Sequence, residues 1–183
     1  AIQAQGDRFW SLALARELDD LILHLRTNEE AIGLWVFRSH GDHELVAAYD
    51  AALEEHKAHW LVREIRLFLK RVFKRIDVSS RSIFALIEPG SCFTGTLFEL
   101  VAAADRSYML DGQMEGDNRP PATVRLTPLN FGAYPMGNGL SRVASRNLDD
   151  PSRVDGIRKL IGQDLDAQAA DEAGLVTFTP DDI

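Results

Sequence analysis

Two short runs built only from apolar residues, Leu34-Trp35-Val36-Phe37 and Ile83-Phe84-Ala85-Leu86-Ile87, alternate with long amphipathic stretches. A strand with one wet face alternates polar and apolar residues. An unbroken apolar run is the pattern of a strand covered on both faces, as in parallel sheets with helical crossovers. Ahead of the first run, Trp10, Leu14, Leu18, Leu21 and Leu25 recur at helical spacing, with Arg16, Glu17, Asp19 and Asp20 between them. Between the runs, Leu61, Ile65, Phe68, Val72 and Ile76 fall on one helical stripe and Arg63, Arg66, Lys70 and Lys74 on the opposite one. The second run stops at Pro89-Gly90. The pattern then predicts a helix over 95–104, a strand over 107–110, a polar surface loop over 111–122 and a strand over 123–126. Helices follow over 138–146, 152–161 and 166–172, the last closed by Gly174, and a strand over 175–178. The alternation predicts an α/β domain, largely parallel, with right-handed crossovers.

One domain over residues 1–183 is expected from the length, and 45% hydrophobic with 26% charged residues is ordinary globular composition. The single cysteine, Cys92, permits no internal disulfide and points to a reducing, cytoplasmic setting. No apolar run reaches the roughly 18 residues of a membrane span. The start, Ala-Ile-Gln-Ala-Gln-Gly-Asp, has neither the form of a signal peptide nor an initiator Met, so a piece of a longer chain is expected. A formal charge of −8 argues against non-specific nucleic-acid binding. That charge is uneven: residues 57–75 carry seven Lys or Arg against Glu64 alone, and residues 149–183 carry nine acids against three bases. A solvated helix face is the simplest reading of the Arg63, Arg66, Lys70 and Lys74 stripe, with contact to phosphates as the alternative.

The remaining motifs carry little chemistry. His40-Gly-Asp-His43 and His56-Lys-Ala-His59 each space two imidazoles three apart, but no cysteine or third-ligand cluster lies nearby, and no metal site is expected. Cys92 beside a helix start reads as buried filler. Gly137-Asn138-Gly139 lacks the third glycine of a dinucleotide fingerprint.

Three segments together carry a resemblance. Ile87-Glu88-Pro89-Gly90-Ser91-Cys92-Phe93-Thr94-Gly95-Thr96-Leu97-Phe98-Glu99-Leu100 runs on to Ala103-Ala104-Asp105-Arg106. The second is Leu129-Asn130-Phe131-Gly132-Ala133-Tyr134-Pro135-Met136-Gly137-Asn138-Gly139-Leu140-Ser141-Arg142, and the third is Leu165-Asp166-Ala167-Gln168-Ala169-Ala170-Asp171-Glu172-Ala173-Gly174-Leu175-Val176. In order and spacing they resemble the crotonase (enoyl-CoA hydratase/isomerase) superfamily. Arg8-Phe9-Trp10, Ala15 to Asp20, Trp35 to Arg38 and Ile76 to Ser82 extend the likeness to the C-terminal half of a branch with two crotonase-like halves in one chain. The resemblance implies a crotonase-like (ClpP/crotonase) ββα superhelix lacking the usual N-terminal hairpin and C-terminal helical region.

For the parent, the resemblance implies a lyase of aromatic-compound catabolism (aerobic benzoate degradation) that opens the ring of 2,3-epoxybenzoyl-CoA with water and releases formate. No cofactor is implied, CoA being part of the substrate. Implied partners are the CoA thioester, the N-terminal crotonase-like half of the same chain and further copies in a homo-oligomer, with no nucleic acid and no membrane. Site residues follow by position. Glu99 matches the first acid of the family's acid/base pair, and the Gly95-Thr96 turn matches the oxyanion donor, with the Thr96 N–H pointing at a thioester oxygen. The second acid falls on Pro128, which cannot move a proton, and Ser39-His40-Gly41-Asp42-His43 departs from the pattern of the other donor. This half is therefore expected to be auxiliary or structural. The alternatives are an autonomous acyl-CoA-binding hydratase/isomerase-like domain using Glu99, or a non-catalytic scaffold or dimerisation module.

Overall fold

A computed structural model describes residues 2–112, 116 and 118–181. After a short helix α1 (Ile2–Gln5) come α2 (Trp10–Thr27), strand β1 (Leu34–Phe37), α3 (His43–Glu55), α4 (Trp60–Asp77) and β2 (Ser82–Ile87). Then follow β3 (Phe93–Thr94), α5 (Phe98–Ala103), β4 (Arg106–Met109), β5 (Val124–Arg125), a 3₁₀ turn (Pro128–Phe131), α6 (Arg142–Arg146), α7 (Arg153–Arg158), β6 (Asp164–Leu165) and α8 (Ala167–Glu172).

Strands β1, β2 and β4 form a parallel sheet in the order β1-β2-β4, with Trp35 opposite Ile83 and Leu86 opposite Tyr108. A second, smaller sheet has the order β3-β5-β6; β3 and β5 run parallel and β6 antiparallel. Helices α2 and α4 pack on each other, and α4 buries Val62, Ile65, Leu69, Val72, Phe73 and Ile76, the stripe expected from its spacing shifted slightly round the helix. Asp19 of α2 and Arg75 of α4 form an ion pair at 2.8 Å. Among the described residues no helix is long and apolar enough to cross a membrane.

The sequence reading departs from the structure at several places, among them the short strands β3 and β6, which it did not anticipate, and Leu21 of the α2 stripe, which is exposed. Strand β1 is not covered on both faces: it is an edge strand, and Leu34 and Val36 are 44% and 47% exposed. Helix α3 was not anticipated, because its buried stripe is only Val46, Asp50 and Leu53 among alanines. The segment around residues 175–178 makes one isolated bridge, Tyr108 to Phe178, rather than a strand. The helices expected over 138–146, 152–161 and 95–104 are shorter, being α6, α7 and α5. Gln113, Met114, Glu115 and Asp117 of the predicted loop lie outside the described residues.

Candidate functional site

Strand β3 turns into α5 through Gly95, and this turn meets α3 and the 3₁₀ segment in a buried polar network. Gly95 sits at φ +47°, and a Cβ there would stand 1.9 Å from Asp50 Oδ2 and 2.6 Å from Thr127. Only glycine lets the chain turn this close to a carboxylate. The neighbouring Thr96 donates its N–H to Asp50 Oδ2 at 2.8 Å and its hydroxyl to Asp50 Oδ1 at 2.5 Å. Thr127 donates its hydroxyl to Asp50 Oδ2 at 2.8 Å. The Tyr134 hydroxyl lies 3.1 Å from Thr96 Oγ1.

Asp50 is 1% exposed, and burial lifts its carboxyl to about 6, held back by the hydrogen bonds from Thr96 and Thr127. It borders a cleft of about 500 Å³ between α3 and the β5–3₁₀ segment, lined also by Ala47, Glu54, Thr127, Pro128 and Ile161. Arg125 closes one flank, held by Glu44 at 2.7 Å and by both oxygens of Asp164 at 2.8 Å.

Glu99 lies one turn into the same segment and is not part of that lining. Both of its oxygens are taken. Oε1 accepts from Asn130 Nδ2 at 2.7 Å, and Oε2 accepts from Arg142 Nη1 at 2.7 Å. Arg142, 1% exposed, also donates to both oxygens of Asp77 at 2.9 and 2.7 Å and to the Tyr134 carbonyl at 3.1 Å. Burial pushes the Glu99 carboxyl up to about 7 against the pull of Arg142 and Asn130. Asn130 binds the network together: its Oδ1 accepts the Thr127 N–H at 2.9 Å and its Nδ2 donates to the Gly95 carbonyl at 2.8 Å.

The structure thus brings Gly95, Thr96 and Glu99 into one network, with Pro128 at the mouth of the adjoining cleft. Asp50, Asp77, Thr127 and Arg142 are the members that sequence reasoning did not single out. Asp50 left a trace: three residues before Leu53 and four after Val46, it is the one acid on the apolar stripe of α3.

The imidazoles have other partners. His43 Nδ1 lies 2.6 Å from Thr94 Oγ1 and its Nε2 lies 3.0 Å from the Ser91 carbonyl. Asp42, between the two histidines of the first pair, caps α3 by accepting from the N–H groups of Glu44 and Leu45. His59 Nδ1 accepts the Leu61 N–H, and its Nε2 lies 3.0 Å from Gln3. Among the described residues no group of three or more His, Cys, Asp or Glu side chains stands ready to hold a metal.

The architecture is that of the crotonase-like enoyl-CoA hydratases and isomerases. An enoyl-CoA hydratase from Bacillus anthracis superposes with a TM-score of 0.59 at 18% identity, over 92% of this chain and 60% of that one. An enoyl-CoA hydratase/isomerase family protein from Silicibacter pomeroyi gives 0.58 at 18% identity, over 92% and 64%. This chain is accordingly a shortened crotonase fold. A particular relative is the benzoyl-CoA-dihydrodiol lyase of Aromatoleum evansii, 50% identical over 182 residues that cover 100% of this chain and 32% of that protein. The chain spans about a third of the length of the curated relative it matches. No family model matches.

Proposed function

We propose that this chain is an auxiliary crotonase-fold segment of a lyase of the benzoyl-CoA-dihydrodiol type. In this reading the parent opens the ring of 2,3-epoxybenzoyl-CoA with water and releases formate. The chemistry is carried by the parent's other crotonase-like half, without a metal or redox cofactor. The segment supplies packing, part of the substrate enclosure or contacts between copies in a cytoplasmic homo-oligomer.

The observation that carries this reading is the Asp50 carboxylate on the Thr96 N–H. A backbone donor stabilises a developing oxyanion only if it is free to meet it. Here an internal carboxylate has taken that place and would also repel a negative charge arriving beside it. Pro128, where the second acid falls, adds no proton to the cleft.

One observation favours a second reading, in which Glu99 is an acid for bound acyl-CoA: its carboxyl is raised to about 7, where a general acid works best. Against it, both oxygens are engaged by Asn130 and Arg142. Ring-opening turnover of the intact parent with Glu99→Gln, at matched melting temperature, separates the two. Turnover within about threefold of the unsubstituted enzyme supports the auxiliary role. A loss of about tenfold or more, equivalent to roughly 1.4 kcal/mol of barrier, assigns Glu99 to the chemistry.

A further inference from the structure

One face of the parallel sheet is apolar and open among the described residues. Side chains alternate across a strand, and Trp35, Ile83, Ala85, Ile87 and Met109 point into the core shared with α2 and α4. Leu34, Val36, Phe84, Leu86 and Tyr108 lie on the other side, in register across β1, β2 and β4. There Leu34 and Val36 are exposed and the other three half-buried. Phe178, also exposed, joins them: its ring stacks on Tyr108 at 5.1 Å, and Tyr108 meets Phe84 at 5.7 Å. The polar members of this face, Ser82 and Arg106, stand at the starts of β2 and β4, so the apolar part is continuous.

An all-parallel sheet is found almost only with both faces covered. The apolar runs of β1 and β2 have the composition of strands covered twice, yet the described residues cover them once. Size narrows the choice of occupant. Strands β1, β2 and β4 and the 177–180 segment, about 4.8 Å apart over roughly four residues, make a patch on the order of 200 Å² in outline. A stable complex of separate chains buries about 800 Å² on each partner. The patch is too small to hold a second copy and fits one helix, about 10 Å wide and about three turns long. A helix in the same chain reaches it without the translational cost of association. The 177–180 segment runs along β4, the Met109 N–H donating to the Phe178 carbonyl at 2.9 Å and the Asp111 N–H to the Pro180 carbonyl at 2.8 Å. Residue 181 therefore lies at the rim of this sheet. This chain spans 32% of the lyase it matches at 50% identity, so most of that protein lies outside these residues.

We propose that the open face docks an amphipathic helix from the stretch of the parent chain that follows residue 183. Its apolar stripe lies on Val36, Phe84, Leu86, Tyr108 and Phe178, and its polar side faces solvent. This rests on the longer parent chain of the reading above, not on the auxiliary role of the segment, and it assigns the surface through which the segment packs.

The test is photo-crosslinking in the intact parent enzyme, with a benzophenone amino acid in place of Phe178 or, in a second variant, of Val36, at an unchanged melting temperature. Peptide mass spectrometry should find single-chain adducts to residues beyond 183 from both positions. The same probe in place of Trp60, exposed at the start of α4, gives the background. A second measurement is hydrogen–deuterium exchange of Val36→Glu, a change that the 183-residue fold tolerates because the position is half exposed. Exchange beyond residue 183 should quicken at least tenfold while that of α4 is unchanged. The proposal is overturned if the adducts bridge two chains, fall within residues 1–183 or before them, or do not exceed the Trp60 background. It is overturned equally if Val36→Glu leaves exchange beyond 183 unaltered. The auxiliary role fails separately: turnover lost in Glu99→Gln with both crosslinks intact removes that role and keeps this surface.

Discussion

The Asp50 carboxylate accepts the Thr96 N–H at 2.8 Å and, with the same oxygen, the Thr127 hydroxyl at 2.8 Å. One acid on α3 thereby joins three separate segments: the helix itself, the turn into α5 and the loop before the 3₁₀ turn. Its value to the fold lies in accepting, whatever its charge. Removing the acceptor should therefore hurt far more than removing the charge. Asp50→Ala leaves buried donors at Thr96 and Thr127 unpaired and should cost about 2–4 kcal/mol. Asp50→Asn keeps an acceptor for both donors and lets Thr96 Oγ1 accept from the amide, so it should stay within about 1 kcal/mol of the parent residue near neutral pH. Chemical denaturation of the two variants decides this; equal losses would show that the negative charge itself holds the network.

Gly95 tests the same contact from the other side. With φ at +47° and a Cβ position 1.9 Å from Asp50 Oδ2, Gly95→Ala should destabilise by about 3 kcal/mol or more. Much of that penalty is a clash with two side chains, Asp50 and Thr127, of which Asp50 is the nearer. Combining it with Asp50→Ala should recover at least about 1 kcal/mol relative to the sum of the single losses. Strict additivity would mean that backbone strain alone sets the cost.

Arg142 is buried between Glu99 and Asp77, each holding it at 2.7 Å. Two acids around one base leave an uncompensated charge once the base is gone, so Arg142→Met should cost about 3–5 kcal/mol. Adding Glu99→Gln removes one of the stranded carboxylates and should return part of that loss. A thermodynamic cycle measured by urea unfolding gives the coupling, and a value near zero would remove the pair from the account of stability.

Much of the architecture was legible in the sequence, because apolar spacing encodes it directly. The runs at Leu34–Phe37 and Ile83–Ile87 became β1 and the body of β2, and Ile65, Val72 and Ile76 of the α4 stripe are buried. The resemblance singled out Gly95, Thr96 and Glu99 as an oxyanion turn and an acid; in the structure they belong to one buried network in which the Thr96 N–H is taken by Asp50. What stayed hidden was partnership across the chain. Asp50 lies 46 residues from Thr96 and 77 from Thr127, and Arg142 lies 65 from Asp77. Periodicity reports which face of an element is buried but not which polar group on another element waits there. The exposed face of β1 has the same origin: an apolar run shows that a strand can be covered on both sides, while sheet order decides whether it is.

The final prediction concerns pH, and its sign follows from direction alone. Burial raises Asp50 from 3.8 to about 6 and Glu99 from 4.5 to about 7, so both hold a proton in the folded state where the unfolded chain has released it. Folding is then favoured by acid over this range: the contribution is complete below about pH 4 and is lost as pH rises through 6 and 7. Glu54 and Asp164 act oppositely, being lowered by Lys57 and by Arg125, but their stabilisation fades only as pH falls below their ordinary values of 4.5 and 3.8. The melting temperature should accordingly decline from about pH 5 to pH 7.5, with a maximum near pH 5. Asp50→Asn should flatten the lower part of that decline and Glu99→Gln the upper part. Reading each variant against the unsubstituted protein cancels every contribution common to both. If the decline is absent, or if both variants track the unsubstituted protein at every pH, these carboxyls do not carry the shifts that their burial implies.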